Sequence, residues 1–137
     1  ALWASISKLD RYLERQKKEW RDKGYFEVFN TRTQQKMRLN VSLLEDIEKN
    51  KDNSLNIEKA IKRLNRPLLI AQGEQDFTVP IEEAEQLYEW SNKDMTEIFK
   101  IPSTGHTFDI KHPFEGTNPK FDMLLNKTEK FFNNYLL

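Results

Sequence analysis

Two side chains able to relay a proton follow separate predicted strands of this sequence. Asp76 comes shortly after an apolar run that ends at Gly73, and His106 follows a second predicted strand, in which apolar residues stand among polar ones. An imidazole acts as a general base when one ring nitrogen meets a nucleophile and a carboxylate holds the other in the right tautomer. Neighbouring parallel strands bring their carboxyl ends to one edge of a sheet, so we expect Asp76 and His106 to lie close together.

Both residues also have simpler interpretations. Asp76 could cap the helix that follows Pro80, and His106 could be a surface loop residue, because isolated motif matches often mislead. The spacing of His106, Asp109 and His112 also admits a metal site, since imidazole and carboxylate groups ligate metals. No further ligand is obvious near these three residues, and we expect neither a metal nor an organic cofactor.

Two glycines flank the pair. Gly73 is expected to let the chain turn sharply after its strand. Gly105 is expected to let the loop before His106 fold back without a Cβ clash.

The segments around the pair alternate between strand and helix patterns. Short apolar runs predict strands at 1–6 and 67–71, and apolar residues that alternate with polar ones predict a strand at 95–101. Helical spacing predicts helices over 81–90 and 121–135. Strands that alternate with helices indicate an α/β fold with a parallel sheet. The last helix carries a stripe that we expect to face the core, formed by Phe121, Leu124, Leu125, Thr128, Phe131, Phe132 and Tyr135.

The segment between the first two strands is mainly helical. An amphipathic pattern predicts a helix over 9–23, and Gly24 is expected to end it. A second helix over 43–50 is expected to begin with a capping box made of Ser42 and Glu45.

A hairpin and a third helix complete this segment. Alternating residues predict strands at 25–30 and 36–40, joined by the turn-like NTRTQ, with Phe26 and Val28 on one face. The helix over 57–64 should end before a proline, as helices tend to do.

The composition excludes several classes of function. Lysine plus arginine and aspartate plus glutamate both number 22 among 137 residues, so the charge indicates no nucleic-acid partner. The absence of cysteine removes disulfides, thiol nucleophiles and cysteine-based zinc sites, and fits a reducing, cytoplasmic location. No apolar run reaches the roughly 18 residues of a membrane span, so we expect no membrane partner.

The motif GEQDFTVP, followed by STGHTF and KHPF, resembles the C-terminal part of an α/β-hydrolase. The likeness is greatest to the dienelactone-hydrolase and prolyl-oligopeptidase-related esterases. In that family the catalytic residues follow in the order nucleophile, acid and histidine. Asp76 matches the acid of the G-x-x-D element that begins at Gly73, and His106 matches the histidine of the G-H element.

The resemblance also divides the chain and implies an activity. Residues 1–7 and 67–137 match the hydrolase core, with 1–7 as a core strand, and 8–66 correspond to an insert that forms a cap or lid in many such enzymes.

The family's nucleophile elbow, G-x-S-x-G, is absent, since none of the four glycines stands two residues before a serine. We interpret the chain as the C-terminal portion of a serine hydrolase that cleaves a small-molecule ester, or alternatively an amide or peptide bond. Its serine lies outside this chain, which should be inactive alone.

Two hypotheses about partners follow. We interpret the apolar run 1–6 as a strand cut from a longer protein, so that the N-terminal half of the fold comes from another segment or a second chain. The competing hypothesis is a non-catalytic interaction module with a hydrolase-like half fold, whose exposed sheet edge binds a partner.

Overall fold

The computed structural model describes residues 1–30 and 33–136. The chain divides into two compact units, one made of Ala1–Ser7 with Glu58–Leu137 and the other of Lys8–Ile57. Asp76 and His106 both belong to the first unit, so the geometry of this pair is set within one unit.

Strands and helices alternate along the first unit, whereas the second unit contains helices and a hairpin. In chain order the elements are β1 (Leu2–Trp3), α1 (Glu14–Lys23), β2 (Tyr25–Asn30), β3 (Gln35–Asn40), α2 (Val41–Asn50), α3 (Ile57–Leu64), β4 (Leu68–Gly73), α4 (Ile81–Trp90), β5 (Thr96–Ile101) and α5 (Pro119–Leu136).

The first unit is built on a parallel sheet in which β4 is the central strand. The strand order is β1-β4-β5, and both pairings are parallel. Every residue of β4 is buried, as expected of a strand that is covered on both faces. The predicted α/β fold with a parallel sheet flanked by helices is confirmed.

β1 is shorter than the strand predicted at 1–6. Leu2 and Trp3 pair with β4, and the Ala4 N–H still donates to the Ala71 carbonyl at 2.9 Å. Ala4 itself has a φ of +46°, which lies in the left-handed region and turns the chain away from the strand direction. The apolar composition of this run did not predict that turn.

The last helix, α5, buries a narrower stripe than predicted. Leu124 and Phe131 are buried, whereas Leu125, Phe132 and Tyr135 are 39%, 40% and 50% exposed. A helix packed on one neighbour covers one face, so the rest of the predicted stripe lies at the surface. None of the helices in the described ranges is both long enough and apolar enough to cross a membrane.

In the second unit, Trp20 of α1 is fully buried at the centre of an aromatic cluster. Its ring centroid lies 5.0 Å from that of Tyr12 and 5.3 Å from that of Phe26 on β2. The indole Nε1 of Trp20 is buried and has no hydrogen-bond acceptor among residues 1–30 and 33–136. Ring packing is therefore what holds Trp20 in place.

The predicted hairpin is present as β2 and β3. The strands are antiparallel, with Phe26 opposite Leu39 and Val28 opposite Met37, so the predicted pair of Phe26 and Val28 shares a face. The predicted turn NTRTQ includes residues 31 and 32, which lie outside the described residues.

Two predicted helix starts in this unit are wrong. α1 begins at Glu14 rather than at residue 9, because Leu13 is extended and its N–H donates to the Gln16 Oε1 at 2.9 Å. α2 begins at Val41, and its cap is Asn40, whose Oδ1 accepts from the Ser42 N–H at 3.0 Å. Ser42 therefore lies inside the helix that it was predicted to cap.

The predicted ends of α1 and α3 agree with the structure. Gly24 ends α1 with a φ of +77°, as predicted, which glycine adopts without a Cβ penalty. α3 ends at Leu64, before the Arg66-Pro67 step, also as predicted.

A buried ammonium group lies near the start of α1. Lys17, whose side chain is 5% exposed, pairs with Asp10 at 2.6 Å and with Glu14 at 3.0 Å. Lys51 adds a second cation 3.0 Å from Asp10. Hydrogen bonding to Lys17 lowers the pKa of Asp10 below its usual 3.8, and hydrogen bonding to Asp10 raises the pKa of Lys17 above its usual 10.5.

We expect Asp10→Asn to lower the free energy of unfolding by about 1–3 kcal/mol, because it leaves the buried Lys17 ammonium with one carboxylate fewer. The lowered pKa of Asp10 in the folded state stabilises the chain at pH values above the usual pKa of 3.8. This stabilisation is lost as the pH falls below that value. The raised pKa of Lys17 stabilises the chain below its usual pKa, and this effect is lost as the pH rises above it. The difference between wild type and variant should therefore shrink in acid and in strong base.

Urea unfolding from acid to strongly basic pH measures the difference in stability between wild type and Asp10→Asn. The matched change Asp22→Asn breaks the exposed pair of Asp22 with Lys18 and should change stability by less than about 0.5 kcal/mol. Equal losses in both variants, or a difference that does not vary with pH, would contradict the prediction.

Candidate active site

Asp76 and His106 lie together at the carboxyl edge of the parallel sheet. Asp76 follows the end of β4, and His106 follows the end of β5. The His106 Nδ1 lies 2.8 Å from the Asp76 Oδ2. The side chain of Asp76 is fully buried, and that of His106 is 40% exposed. The two residues thus meet as the sequence predicts, with the imidazole facing outward from a buried carboxylate.

Four donors surround the Asp76 carboxylate. The backbone N–H groups of Thr78 and Val79 each donate to Oδ1 at 2.8 Å. The Gln72 side-chain Nε2 donates to Oδ2 at 2.8 Å, and the His106 Nδ1 contacts the same oxygen. A buried carboxylate is tolerated only when it is well hydrogen-bonded, and here both oxygens are satisfied.

The hydrogen bonding of Asp76 determines the tautomer of His106. An ionised carboxylate only accepts hydrogen bonds, so the Nδ1 of His106 must carry the hydrogen. The Nε2 of a neutral ring is then the nitrogen with a free lone pair. The arrangement can accept a proton at Nε2 and stabilise the resulting imidazolium through Asp76.

The simpler interpretation of Asp76, as the cap of the following helix, does not agree with the structure. α4 begins at Ile81, its N-cap position is Pro80, and no side chain in the described part of the chain caps it. The bonds from Asp76 to Thr78 and Val79 instead close the loop between β4 and α4. The carboxylate therefore holds its own loop and leaves Oδ2 for His106.

Gly73 is required for a close backbone approach rather than for a sharp turn. Its φ lies outside the left-handed region, but a Cβ at this position would lie 2.4 Å from the Thr104 carbonyl oxygen. The Gln75 N–H donates to the same carbonyl at 2.9 Å. The predicted role of Gly105 is also wrong, because a Cβ there would meet its nearest atom at 3.8 Å.

Asn118 connects the histidine loop to α5. Its Nδ2 donates to the carbonyl of Phe108 at 3.0 Å, and its Oδ1 accepts from the Lys120 N–H at 3.0 Å. Phe108 is buried, and its N–H donates to the Gly105 carbonyl at 3.1 Å. The turn that carries His106 is therefore fixed on one side by the helix start.

The alternative of a metal site has no support in the described ranges. No group of three histidine, aspartate or glutamate side chains within residues 1–30 and 33–136 could hold a metal ion. Asp109, one of the three residues considered, pairs with Lys120 at 3.1 Å. Its carboxylate is thus engaged by a lysine.

Gln72 is the residue of this site that the sequence analysis missed. It is fully buried in β4, where its neighbours Ile70 and Ala71 are apolar. The available signal was a single amide side chain within a buried strand, one residue before Gly73. Buried polar groups are normally hydrogen-bonded, so an amide in such a strand indicates a specific partner.

Solved structures of hydrolases share this fold. A putative hydrolase from Agrobacterium vitis S4 is 19% identical, with a TM-score of 0.63, and the match covers 88% of this chain and 42% of that one. The esterase domain of a Rhodothermus marinus protein is 16% identical, with a TM-score of 0.53 and coverages of 64% and 35%. No protein-family model and no curated protein matches the sequence.

The chain shares its α/β fold with these hydrolases, and the match covers less than half the length of each of the two structures. At this level of sequence identity the likeness shows the fold alone. The matched region is part of each hydrolase structure.

We expect Gly73→Ala to lower the free energy of unfolding by about 1–3 kcal/mol, because the new methyl group must displace the Thr104 backbone. The displaced loop should also lengthen the contact between Asp76 and His106. Gly105→Ala is the matched control, and it should change stability by less than about 1 kcal/mol because its Cβ has room. Urea unfolding of the two variants tests the difference, and equal stability losses would contradict it.

Proposed function

We propose that this chain carries the acid and the histidine of a serine hydrolase that cleaves carboxylic esters. The observation that carries the proposal is the 2.8 Å contact between the His106 Nδ1 and the Asp76 Oδ2 at the carboxyl edge of the sheet. Open α/β sheets bind their ligands outside this edge. The hydrolase-like half fold supports the same class of reaction.

In the proposed mechanism, His106 and Asp76 act on a serine outside this chain. The Nε2 of His106 takes the proton of the serine hydroxyl as its oxygen attacks the ester carbonyl carbon. The imidazolium then gives this proton to the leaving alcohol, and the same nitrogen activates water to release the acid. Asp76 orients the ring throughout and stabilises its positive charge.

We infer that the nucleophile and the oxyanion hole belong to a further part of the sheet. No glycine of this chain stands two residues before a serine, so the usual elbow cannot form here. β1 is an edge strand of the described sheet, and the fold spans less than half of its structural neighbours. A further segment or a second chain would then pair with this edge.

The motifs that contain Asp76 and His106 point to a class of substrate. We propose that the substrate is a small-molecule ester, with amides or peptides as the alternative. This proposal rests on the resemblance of the Asp76 and His106 motifs to the dienelactone-hydrolase and prolyl-oligopeptidase-related esterases. Residues 8–66 would act as the cap or lid that helps to select the substrate. The compactness of Lys8–Ile57 as a unit of its own supports this role.

In the complete protein, Asp76→Asn and His106→Gln should each reduce ester turnover by about a thousandfold or more. Asparagine keeps the shape of Asp76 but cannot stabilise the imidazolium, and glutamine cannot serve as the base. The matched control is His112→Gln on the exposed part of the same loop, which should keep wild-type turnover. Hydrolysis of a chromogenic ester measures all three. Wild-type turnover in both site variants would refute the proposal and favour a non-catalytic interaction module.

The chain of 137 residues alone should not hydrolyse esters and should not react with a fluorophosphonate probe. The reason is that no serine of this chain stands in a G-x-S-x-G elbow, where His106 could activate it. Intact-mass spectrometry after incubation with the probe measures labelling, and a purified serine esterase serves as the positive control. Stoichiometric labelling of a serine in the chain would show that the nucleophile has been misplaced.

A further inference from the structure

Gln72 occupies an unusual position for an amide side chain. It is fully buried in β4, the central strand of the sheet. Its Nε2 donates to the Asp76 Oδ2 at 2.8 Å and to the Val79 carbonyl at 2.7 Å. Its Oε1 is buried and has no hydrogen-bond partner within residues 1–30 and 33–136.

The two acceptors determine which way the amide faces. Exchanging the nitrogen and the oxygen of Gln72 would point Oε1 at a carboxylate oxygen and a carbonyl oxygen, neither of which can donate. The nitrogen must therefore face Asp76 and Val79. Both of its hydrogens are used in this orientation.

Packing alone does not explain an amide at this position. A buried carbonyl oxygen without a partner is destabilising, and an apolar side chain of the same length would fill the space without it. What an apolar residue could not do is donate to the Asp76 Oδ2. The unpaired Oε1 is thus the unfavourable consequence of placing a donor beside the carboxylate.

We propose that Gln72 is a positioning residue for His106, a role that rests on the proposed hydrolase function. Thr78 and Val79 hold the Oδ1 of Asp76 through their backbone N–H groups. Gln72 holds the other oxygen and also the Val79 carbonyl, so the carboxylate cannot rotate without breaking bonds at both oxygens. Oδ2 is thereby kept at the Nδ1 of His106, which selects the tautomer that leaves Nε2 without a hydrogen.

The test is the tautomer of His106, measured by ¹⁵N NMR of the imidazole in histidine-labelled full chain. His106→Gln identifies the resonances. In wild type, neutral His106 should carry its hydrogen on Nδ1. In Gln72→Met, which has a similar volume and no donor, the Oδ2 of Asp76 loses the bond that keeps it at Nδ1, so the carboxylate can turn away from the ring. The fraction with hydrogen on Nε2 should then rise by about tenfold or more, the size expected for one lost hydrogen bond to a charged group.

Gln75→Met is the matched control, because it makes the same change at an exposed position in the loop that carries Asp76. Its tautomer ratio should equal that of wild type. A wild-type ratio in a folded Gln72→Met would overturn the inference, and so would an equal shift in both variants. Urea unfolding reports whether each variant is folded.

If Gln72→Met fails to fold, Gln72→Glu tests whether the residue at position 72 sets the tautomer of His106. A second carboxyl group beside Asp76 raises the pKa of one of the two, so Glu at this position donates while protonated and loses its donor as the pH rises. The wild-type tautomer should therefore be kept at lower pH and lost at higher pH. A tautomer ratio that stays wild-type at every pH would overturn the inference.

These outcomes are separate from those of the proposed function, because the NMR measurement requires no turnover. An inactive His106→Gln together with a wild-type tautomer in Gln72→Met would refute the role of Gln72 alone. A fully active His106→Gln together with a shifted tautomer would refute the hydrolase alone. If both hold, Gln72→Met in the complete protein should lower kcat and leave KM unchanged, since Gln72 does not contact the substrate.

Discussion

The parallel pairing of β4 with β5 is the interaction on which the site depends. Leu68 to Gly73 lie opposite Thr96 to Ile101, residue by residue, so both chains leave the sheet at the same level. The loops that follow are then close enough for the Thr104 backbone to contact Gly73. A slip of one residue in this register would turn every side chain of β4 to the other face and separate the acid from the imidazole.

Most of what holds the acid in place is backbone. The Oδ1 of Asp76 is satisfied by two peptide N–H groups of its own loop, so neither bond depends on the identity of a neighbouring side chain. The side chains of Gln72 and His106 share the other oxygen. The site therefore combines a loop that is fixed by the main chain with one oxygen whose partners are set by sequence. A polar network of this kind favours one arrangement when its members are satisfied, and within residues 1–30 and 33–136 its one buried atom without a partner is the Oε1 of Gln72.

The order of the elements and the meeting of Asp76 with His106 were predictable, because apolar runs, helical periodicity and the turn residues after each strand agree with one another. Features that are set by tertiary contacts could not be predicted from the sequence. The turn at Ala4, the cap at Asn40 and the contact between Gly73 and Thr104 depend on which segments come together, and no local pattern encodes that. α5 shows the same limit, since its apolar stripe is wider than the surface on which it packs.

The burial of Trp20 has a spectroscopic consequence. The chain contains three tryptophans, and Trp20 is the one that lies in the unit Lys8–Ile57. An indole shielded from water emits at shorter wavelength than one in contact with it, and Trp20 is fully buried whereas Trp3 is 37% exposed. The blue edge of the emission spectrum is therefore weighted toward the second unit, and the red edge toward the first. Fluorescence at two wavelengths can separate the unfolding of the two units within one sample, without any label.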